Sequence, residues 1–392
     1  MSAAANTSAI QSKGPRIFSR EAVLLGCFIL VIGLLLFTAF VSRMYHKQIH
    51  TLADEWFQEG EDSFKNGDVK TALTDYRNAL VYSPGNTRFQ FHLAVALSAA
   101  GRGDEARSYL TNLLSESPGS GEINLALARI AARKGLMPEA LRYYHSAIYG
   151  EFETDPIGVR WEIRRELCEY LLDRGAVSQA VPEIMALANN TPADDAEKLK
   201  VAAELLNRAK LWTRALEVFR TVLDKNKEDK AALLGAATSA FELGQYRVAA
   251  EYLEQLPPQD RSDPATSGML TMAQHVQALD PFVPGLPLAT KAQRVSSALS
   301  MAKTRVQECA QEMGQSLTAT PPRTELQIAF AKSAEAGADW SSRNLQRHAD
   351  SLDEDMSLAF EMENAAAGAC GEPQGEDRAL WLLGQSRGAK VQ

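Results

Sequence analysis

Residues 53–86 read ADEWFQEGEDSFKNGDVKTALTDYRNALVYSPGN, and the reading of the whole chain turns on this stretch. Around Ala72, Gly60 lies twelve residues earlier and Gly67 five earlier, with Trp56 sixteen earlier. Tyr76, Ala79 and Pro84 follow at four, seven and twelve. Adding 34 brings the pattern back as Ala94, Gly101, Ala106, Leu110, Leu113 and Pro118. A further 34 gives Ala128, Gly135, Ala140, Tyr144 and Ala147. The register then slips by six residues around Glu151–Pro156 and resumes at Cys168, Gly175, Ala180, Ile184, Leu187 and Pro192. A fifth unit holds Ala203, Ala215, Phe219 and Val222, with Lys210 where the others carry Gly. A sixth holds Ala237, Gly244, Ala249, Leu253 and Leu256. A period of this length marks an array of stacked supersecondary units.

The residue types fit that role. Small side chains at the Gly60, Ala72 and Ala79 positions let two antiparallel helices approach closely. Tyr76 and Leu110 types fill the space between successive units. Gly67 and its equivalents suit a left-handed turn after a first helix. Pro84, Pro118 and Pro192 end a second helix. One such hairpin cannot bury its own apolar face, so the units must stack.

The pattern resembles the tetratricopeptide repeat (TPR), a helix–turn–helix unit, over roughly residues 53–260. The implied fold is all-α: a helical-hairpin solenoid of about six units plus a capping helix over 50–280. The resemblance also implies that partner-binding residues fall between the signature positions, on the first helix of each unit. Those in the first three units include Phe57, Phe64, Phe91, Leu125 and Arg129. The later ones include Arg165, Glu169 and Lys200. The early surface is apolar and aromatic, the later one mixed in charge, which suits a helical or extended segment of another protein. The alternative is that Phe57, Phe64 and Phe91 simply pack on each other. A clamp for a terminal carboxylate is not expected, because Phe57, Glu61 and Glu122 stand where cations and amides would be needed.

Upstream, residues 22–41 read AVLLGCFILVIGLLLFTAFV without a charge. At ~1.5 Å per residue this is ~30 Å of helix, the thickness of a bilayer core. A cleaved signal peptide is the competing reading, but its apolar region is usually only ~7–15 residues. The sequence therefore predicts a disordered tail over 1–20, a single transmembrane helix over 21–42, and attachment to the cell membrane through 22–41. Lys13, Arg16 and Arg20 precede the run and Arg43 and Lys47 follow it, a slight bias to a cytoplasmic N-terminus. The body would then be extracytoplasmic, periplasmic in a bacterium.

Charge narrows the partners. The chain carries −8 overall, 45% apolar and 23% charged residues, which excludes wholesale disorder. Residues 1–50 hold a net +4, leaving −12 on the rest, so nucleic acid is not an expected partner. Protein partners and self-association are.

After Pro257-Pro258 the period stops. A capping helix is expected near 264–279, then a Pro-rich strap, DPFVPGLPLAT, and helices near 290–315, 322–336, 340–366 and 377–383, making 281–392 a strap with a small helical region. Cys309 and Cys370 fall in this region and, in an oxidising compartment, are the candidates for a disulfide. Neither a CxxC pair, an HExxH, a Walker loop nor GxSxG occurs, so no metal site, cofactor or catalytic residue is nominated. The expected function is a membrane-anchored protein–protein interaction scaffold, not an enzyme. Its rivals are a helical catalytic site in 281–392 around Cys309, His348 and Asp353, or a self-associating envelope component.

Overall fold

The computed structural model describes residues 20–152, 156–336 and 339–388. The predicted tail lies outside these except for Arg20. Among the described residues there are nineteen α-helices and no strand. The chain divides into two compact units, residues 1–156 and 157–392.

The first unit holds three hairpins. α1 (Arg20–Lys65) pairs with α2 (Val69–Tyr82), α3 (Thr87–Ala99) with α4 (Gly103–Glu116), and α5 (Gly121–Arg133) with α6 (Met137–Ile148). Ala72, Ala106 and Ala140, the anchors of the 34-residue period, are fully buried. So are Tyr76 and Leu110, which fill the gaps between helices as expected. Gly60 shows why the period needs a small residue: a Cβ there would sit 2.8 Å from the Tyr76 ring. Each later hairpin starts from a side-chain cap. Asn86 accepts from the Phe89 N–H, and Ser120 from the Ile123 N–H. Such caps satisfy donors that a helix N-terminus cannot pair itself.

The predicted boundary near residue 42 is not a boundary in the helix. α1 runs unbroken from Arg20 to Lys65, because neither Gly nor Pro interrupts residues 42–52 and the Thr51 hydroxyl bonds back to the Lys47 carbonyl within the helix. Its part from Leu24 to Val41 is exposed throughout and is long and apolar enough to cross a membrane.

The second unit opens with three more hairpins: α7 (Pro156–Asp173) with α8 (Val177–Asn190), α9 (Ala196–Arg208) with α10 (Trp212–Lys225), and α11 (Lys230–Glu242) with α12 (Tyr246–Glu254). Ala180, Ala215 and Ala249 are again fully buried. Cys168 is buried too, and burial pushes its thiol up to about 12, so it is an inert core residue. At the five expected turns Gly takes positive φ between 68° and 81°, and Lys210 takes φ 60° at the sixth.

A short α13 (Pro258–Arg261) leads to α14 (Pro264–Leu279), which packs on α12 as a cap. α15 (Leu288–Glu312), α16 (Glu325–Glu335), α17 (Ser342–Arg347), α18 (Leu352–Cys370) and α19 (Gly375–Gly388) complete the unit. α15 lies against α18, α16 against α18, and α19 against α14, around a core that continues from Tyr246 and Ala250 to Leu383. The helix expected over 340–366 is broken. The Ser351 hydroxyl lies 2.9 Å from both the His348 carbonyl and the Asp355 carboxylate, and a 3-10 turn at Ala349–Ser351 replaces the helical ladder. The strap folds back on its own unit: Phe282 lies beneath the Arg387 guanidinium at 4.3 Å, and Arg387 pairs with Asp280 at 3.1 Å.

Candidate partner-binding cleft

The side chains expected to meet a partner in the first unit differ in exposure. Phe57 is 3% exposed. It stacks on Phe89 with ring centroids 4.7 Å apart and meets His92 edge-on at 5.0 Å. The Arg88 guanidinium covers it at 4.5 Å. Phe57 is therefore a core residue of the first unit and corrects the expectation of a contact there. The face-counting rule places it on the first helix but cannot see that Phe89 reaches it. Phe64 is half-buried against the same core, and Phe91 and Leu125 are half-exposed. Arg129 is exposed on α5 and engages in a contact of its own.

The charged residues of the second unit are committed within the fold. Arg165 binds Glu162 at 2.9 Å and Glu169 at 2.7 Å on its own helix. Lys200 lies 2.9 Å from both Glu197 and Asp229. Those two carboxylates hold its ammonium above the ordinary lysine value. An ion pair made inside the protein leaves little charge to select a partner.

A concavity does exist in the first unit, at the edge where α3, α4 and α5 meet. It measures about 1120 Å³ and is walled by Arg88, Phe91 and His92 of α3, Leu113 and Glu116 of α4, Glu122 and Ile123 of α5, and Glu151 and Phe152. The last two belong to the segment where the register slips. Glu151 is held through its backbone: the Gly121 N–H donates to the Glu151 carbonyl at 2.9 Å, and the Glu151 N–H donates to the Gly119 carbonyl at 2.8 Å. The Phe152 ring then lies on Gly121, where a Cβ would come within 2.2 Å of it. Glu151 and Phe152 thus supply one wall of the cleft. The slip was visible in the sequence, while the aromatic wall it builds was not.

The cleft sets the apolar side chains of Phe91, Leu113, Ile123 and Phe152 in a lining that is otherwise mostly polar, with three glutamates among it. Glu116, Glu122 and Glu151 make no ion pair among the described residues, and Arg88 is the cation beside them. Behind His92 lies a satisfied polar group. Glu61 Oε1 accepts from the Tyr76 hydroxyl at 2.6 Å, and His92 Nδ1 lies 2.5 Å from the same oxygen. Burial and then this bond push the Tyr76 phenol well above its ordinary range, so it stays a donor. The network fixes the orientation of His92 at the cleft wall.

A second concavity of about 480 Å³ lies in the second unit among Tyr246, Asp280, Phe282, Arg294 and Arg387. Its cations are used internally. Arg294 donates to the carbonyls of Gln277 and Asp280 at 3.0 and 2.6 Å, closing the end of α14, and Arg387 is held by Asp280. Cys309 and Cys370 are joined in a disulfide, which leaves no thiol at Cys309, while His348 and Asp353 are exposed. Among the described residues no group of three or more His, Cys, Asp or Glu is placed to hold a metal.

Tetratricopeptide-repeat family models match residues 57–120, 98–151 and 206–272, so TPR repeats are present in both units. Among solved structures, the chain is similar to the C-terminal part of a TPR repeat-containing protein from Cytophaga hutchinsonii, at 12% identity and TM-score 0.42, covering 83% of this chain and 99% of that one. It is also similar to PilW, a type IV pilus biogenesis factor, at 19% identity and TM-score 0.40, covering 56% and 98%. PilF of Pseudomonas aeruginosa gives 16% identity and TM-score 0.40, covering 57% and 99%. No curated protein matches.

Proposed function

We propose that this chain is a membrane-anchored adaptor. Residues 22–41 hold it in the bilayer, and its TPR hairpins bind segments of other proteins. The observation that carries this reading is the cleft of the first unit: open, with Phe91, Leu113, Ile123 and Phe152 in its walls and glutamates that make no ion pair among the described residues. Such a surface suits an extended segment that offers an apolar anchor and a basic side chain. Phe91 is the principal contact, with Phe152 opposite. Phe64, Leu125 and Arg129 extend the same set of first helices, while Arg165, Glu169 and Lys200 are secondary in the other unit. The anchor raises the effective concentration of any membrane-bound partner without adding a contact. A body outside the cytoplasm is supported by the Cys309–Cys370 disulfide, which persists in oxidising compartments.

Crosslinking in intact cells, followed by affinity capture and mass spectrometry, tests the reading. The variant is Phe91→Glu with Glu122→Lys, both at partly or fully exposed positions. The expected result is loss of one or a few captured proteins with unchanged helix content and melting. Identical captures from variant and parent would remove the cleft as the binding site. Phe57→Ala serves as the contrast, because it should lower melting rather than change selectivity.

A further inference from the structure

The unbroken α1 carries the apolar stretch and the first arm of the first TPR hairpin in one continuous helix. α2 folds back antiparallel along α1, so its C-terminal end returns toward the apolar stretch. An apolar patch is exposed there. Val81 and Tyr82, at the end of α2, are 72% and 37% exposed, and Met44 and Tyr45 on α1 are 51% and 63% exposed. Met44, Tyr45 and Tyr82 border a shallow recess of about 670 Å³ that is also lined by Ile49, Leu52, Lys47 and Glu55, and Val81 lies beside it in the chain.

We propose that this patch is a foot that stands in the headgroup layer of the bilayer α1 crosses. The first hairpin then rests on the membrane instead of standing away from it on a bare helical stalk. The inference rests on reading residues 22–41 as a membrane span. Geometry decides whether the foot can reach. If the hydrocarbon ends at Val41 and α1 stands upright, Gln48 and Leu52 lie ~10 and ~16 Å above it at ~1.5 Å per residue. The headgroup layer adds only ~5–7 Å per side, so an upright helix keeps Tyr82 dry. Spanning helices tilt by ~20° on average and by up to ~40°. A packed neighbour lies ~8–10 Å from the helix axis. A tilt of ~30° toward α2 therefore lowers the α2 side by ~4–5 Å and shortens the stalk, bringing its end to ~5–10 Å. The same tilt lengthens the required span to ~23 residues. Ala22–Met44 is a run of that length, with Arg43 its single charge, placed to snorkel.

The patch has the chemistry for that layer. Tyr45 and Tyr82 each join an apolar ring to a polar tip, the type of side chain enriched at membrane interfaces. Arg43 and Lys47 stand at headgroup height, where lipid phosphates would meet them. The span sets the depth of these groups, and the exposed patch on one side sets the direction of tilt. The foot thereby fixes how the hairpins of the first unit face the membrane.

The experiment uses the full chain in nanodiscs of phosphatidylcholine with one quarter phosphatidylglycerol. Cys27 and Cys168 are replaced by Ala, and an environment-sensitive dye is attached through Gly85→Cys, just past the foot, where an added Cβ meets nothing. Leu30→Cys reports the span and Tyr109→Cys a remote exposed site. Spin labels in the lipid headgroup should quench the dye at position 85 several-fold more than at position 109, and Val81→Glu with Tyr82→Glu should abolish the difference. Deep spin labels should quench the dye at position 30. Equal quenching at 85 and 109, with position 30 quenched, overturns the foot and leaves the span intact. No quenching at position 30 overturns the span and the foot with it. Quenching at 85 that ignores the double substitution also overturns the proposal. So does a difference in quenching between 85 and 109 that appears only with two copies per disc, which would assign the patch to a second chain.

Discussion

The TPR hairpins and the C-terminal helices of the second unit solve the same problem in opposite ways. Each hairpin finds its partner within one period, so its contacts are local and its rules repeat. The C-terminal helices find theirs across long stretches of chain. The Cys309–Cys370 disulfide spans 61 residues, and the Tyr246 hydroxyl reaches the Leu382 carbonyl 136 residues away. A repeat array is stabilised as a sum of neighbour terms. A bundle closed by distant contacts pays loop-closure entropy first and is therefore the part that benefits from a covalent link.

The largest expected effect follows from that contrast. Replacing both Cys309 and Cys370 by Ser should destabilise α15–α18 by about 4 kcal/mol, the chain-entropy value for a loop of about 60 residues. Hydrogen exchange should show lost protection there and unchanged protection in α3–α6. Equal loss in both places would break the comparison, because it would make the hairpins dependent on the bundle.

Next comes Glu363, which is 1% exposed in α18, with both carboxylate oxygens unpaired among the described residues. Burial, then the neighbouring Asp377, pushes its carboxyl from 4.5 to about 7. Burial raises Asp377 as well, and Arg305 opposes both shifts. A carboxyl raised in the folded state binds its proton more tightly there than in the unfolded chain. Its stabilising effect is full below about pH 4.5 and is lost as pH rises through about 7. The bundle should be weaker at pH 8 than at pH 5 by up to about 3 kcal/mol, at about 1.4 kcal/mol per pH unit. Glu363→Gln should remove most of that slope, measured by denaturant melts at several pH values. A slope that survives the substitution would assign it to other groups.

The sequence made the hairpins legible and the bundle only partly so, for the same physical reason. Ala72, Ala106 and their equivalents recur at a fixed interval because identical close approaches recur, and all six are buried. Helix positions after residue 257 followed from apolar periodicity, yet nothing periodic announced that α19 would return to α14. The break at His348–Ser351 was missed because a single hydroxyl competing for a carbonyl leaves no pattern. The candidate site was the least legible part. First-helix positions identify a face, but Phe57 is covered by Phe89 and Arg88, and Lys200 is taken by Asp229. The cleft wall at Phe152 comes from the residues that break the period, not from those that obey it.

A smaller effect is expected inside the hairpins, where packing is close but local. An added Cβ at Gly235 would lie 2.2 Å from the ring of Phe219, which is fully buried and has nowhere to turn. Overpacking of this kind costs about 1–3 kcal/mol, against a gain of about 1 kcal/mol in helix propensity. Gly235→Ala should therefore lose up to about 2 kcal/mol. The loss should appear as hydrogen exchange in α10 and α11 without change at the disulfide-linked helices. If α15–α18 also loosen, the local character of the repeats is wrong.

The smallest change should be a gain. Lys210 occupies the turn between α9 and α10 with φ 60°, in the left-handed region where the other five turns use Gly. The turn is otherwise intact: the Lys210 N–H donates to the Asn207 carbonyl and the Leu211 N–H to the Leu206 carbonyl, both at 2.9 Å. A side chain costs about 1–2 kcal/mol in this conformation, through contact between Cβ and the following carbonyl. Glycine removes that cost but returns about 0.5–1 kcal/mol in unfolded-state entropy. Lys210→Gly should thus stabilise the hairpin by up to about 1 kcal/mol, read as slower exchange of the α9 and α10 amides. Because the repeat is a local unit, the gain should stop at α11. Slower exchange spreading into α14 and α15 would mean that the last hairpins and the bundle open together, and the two modes of stabilisation would then act as one cooperative block.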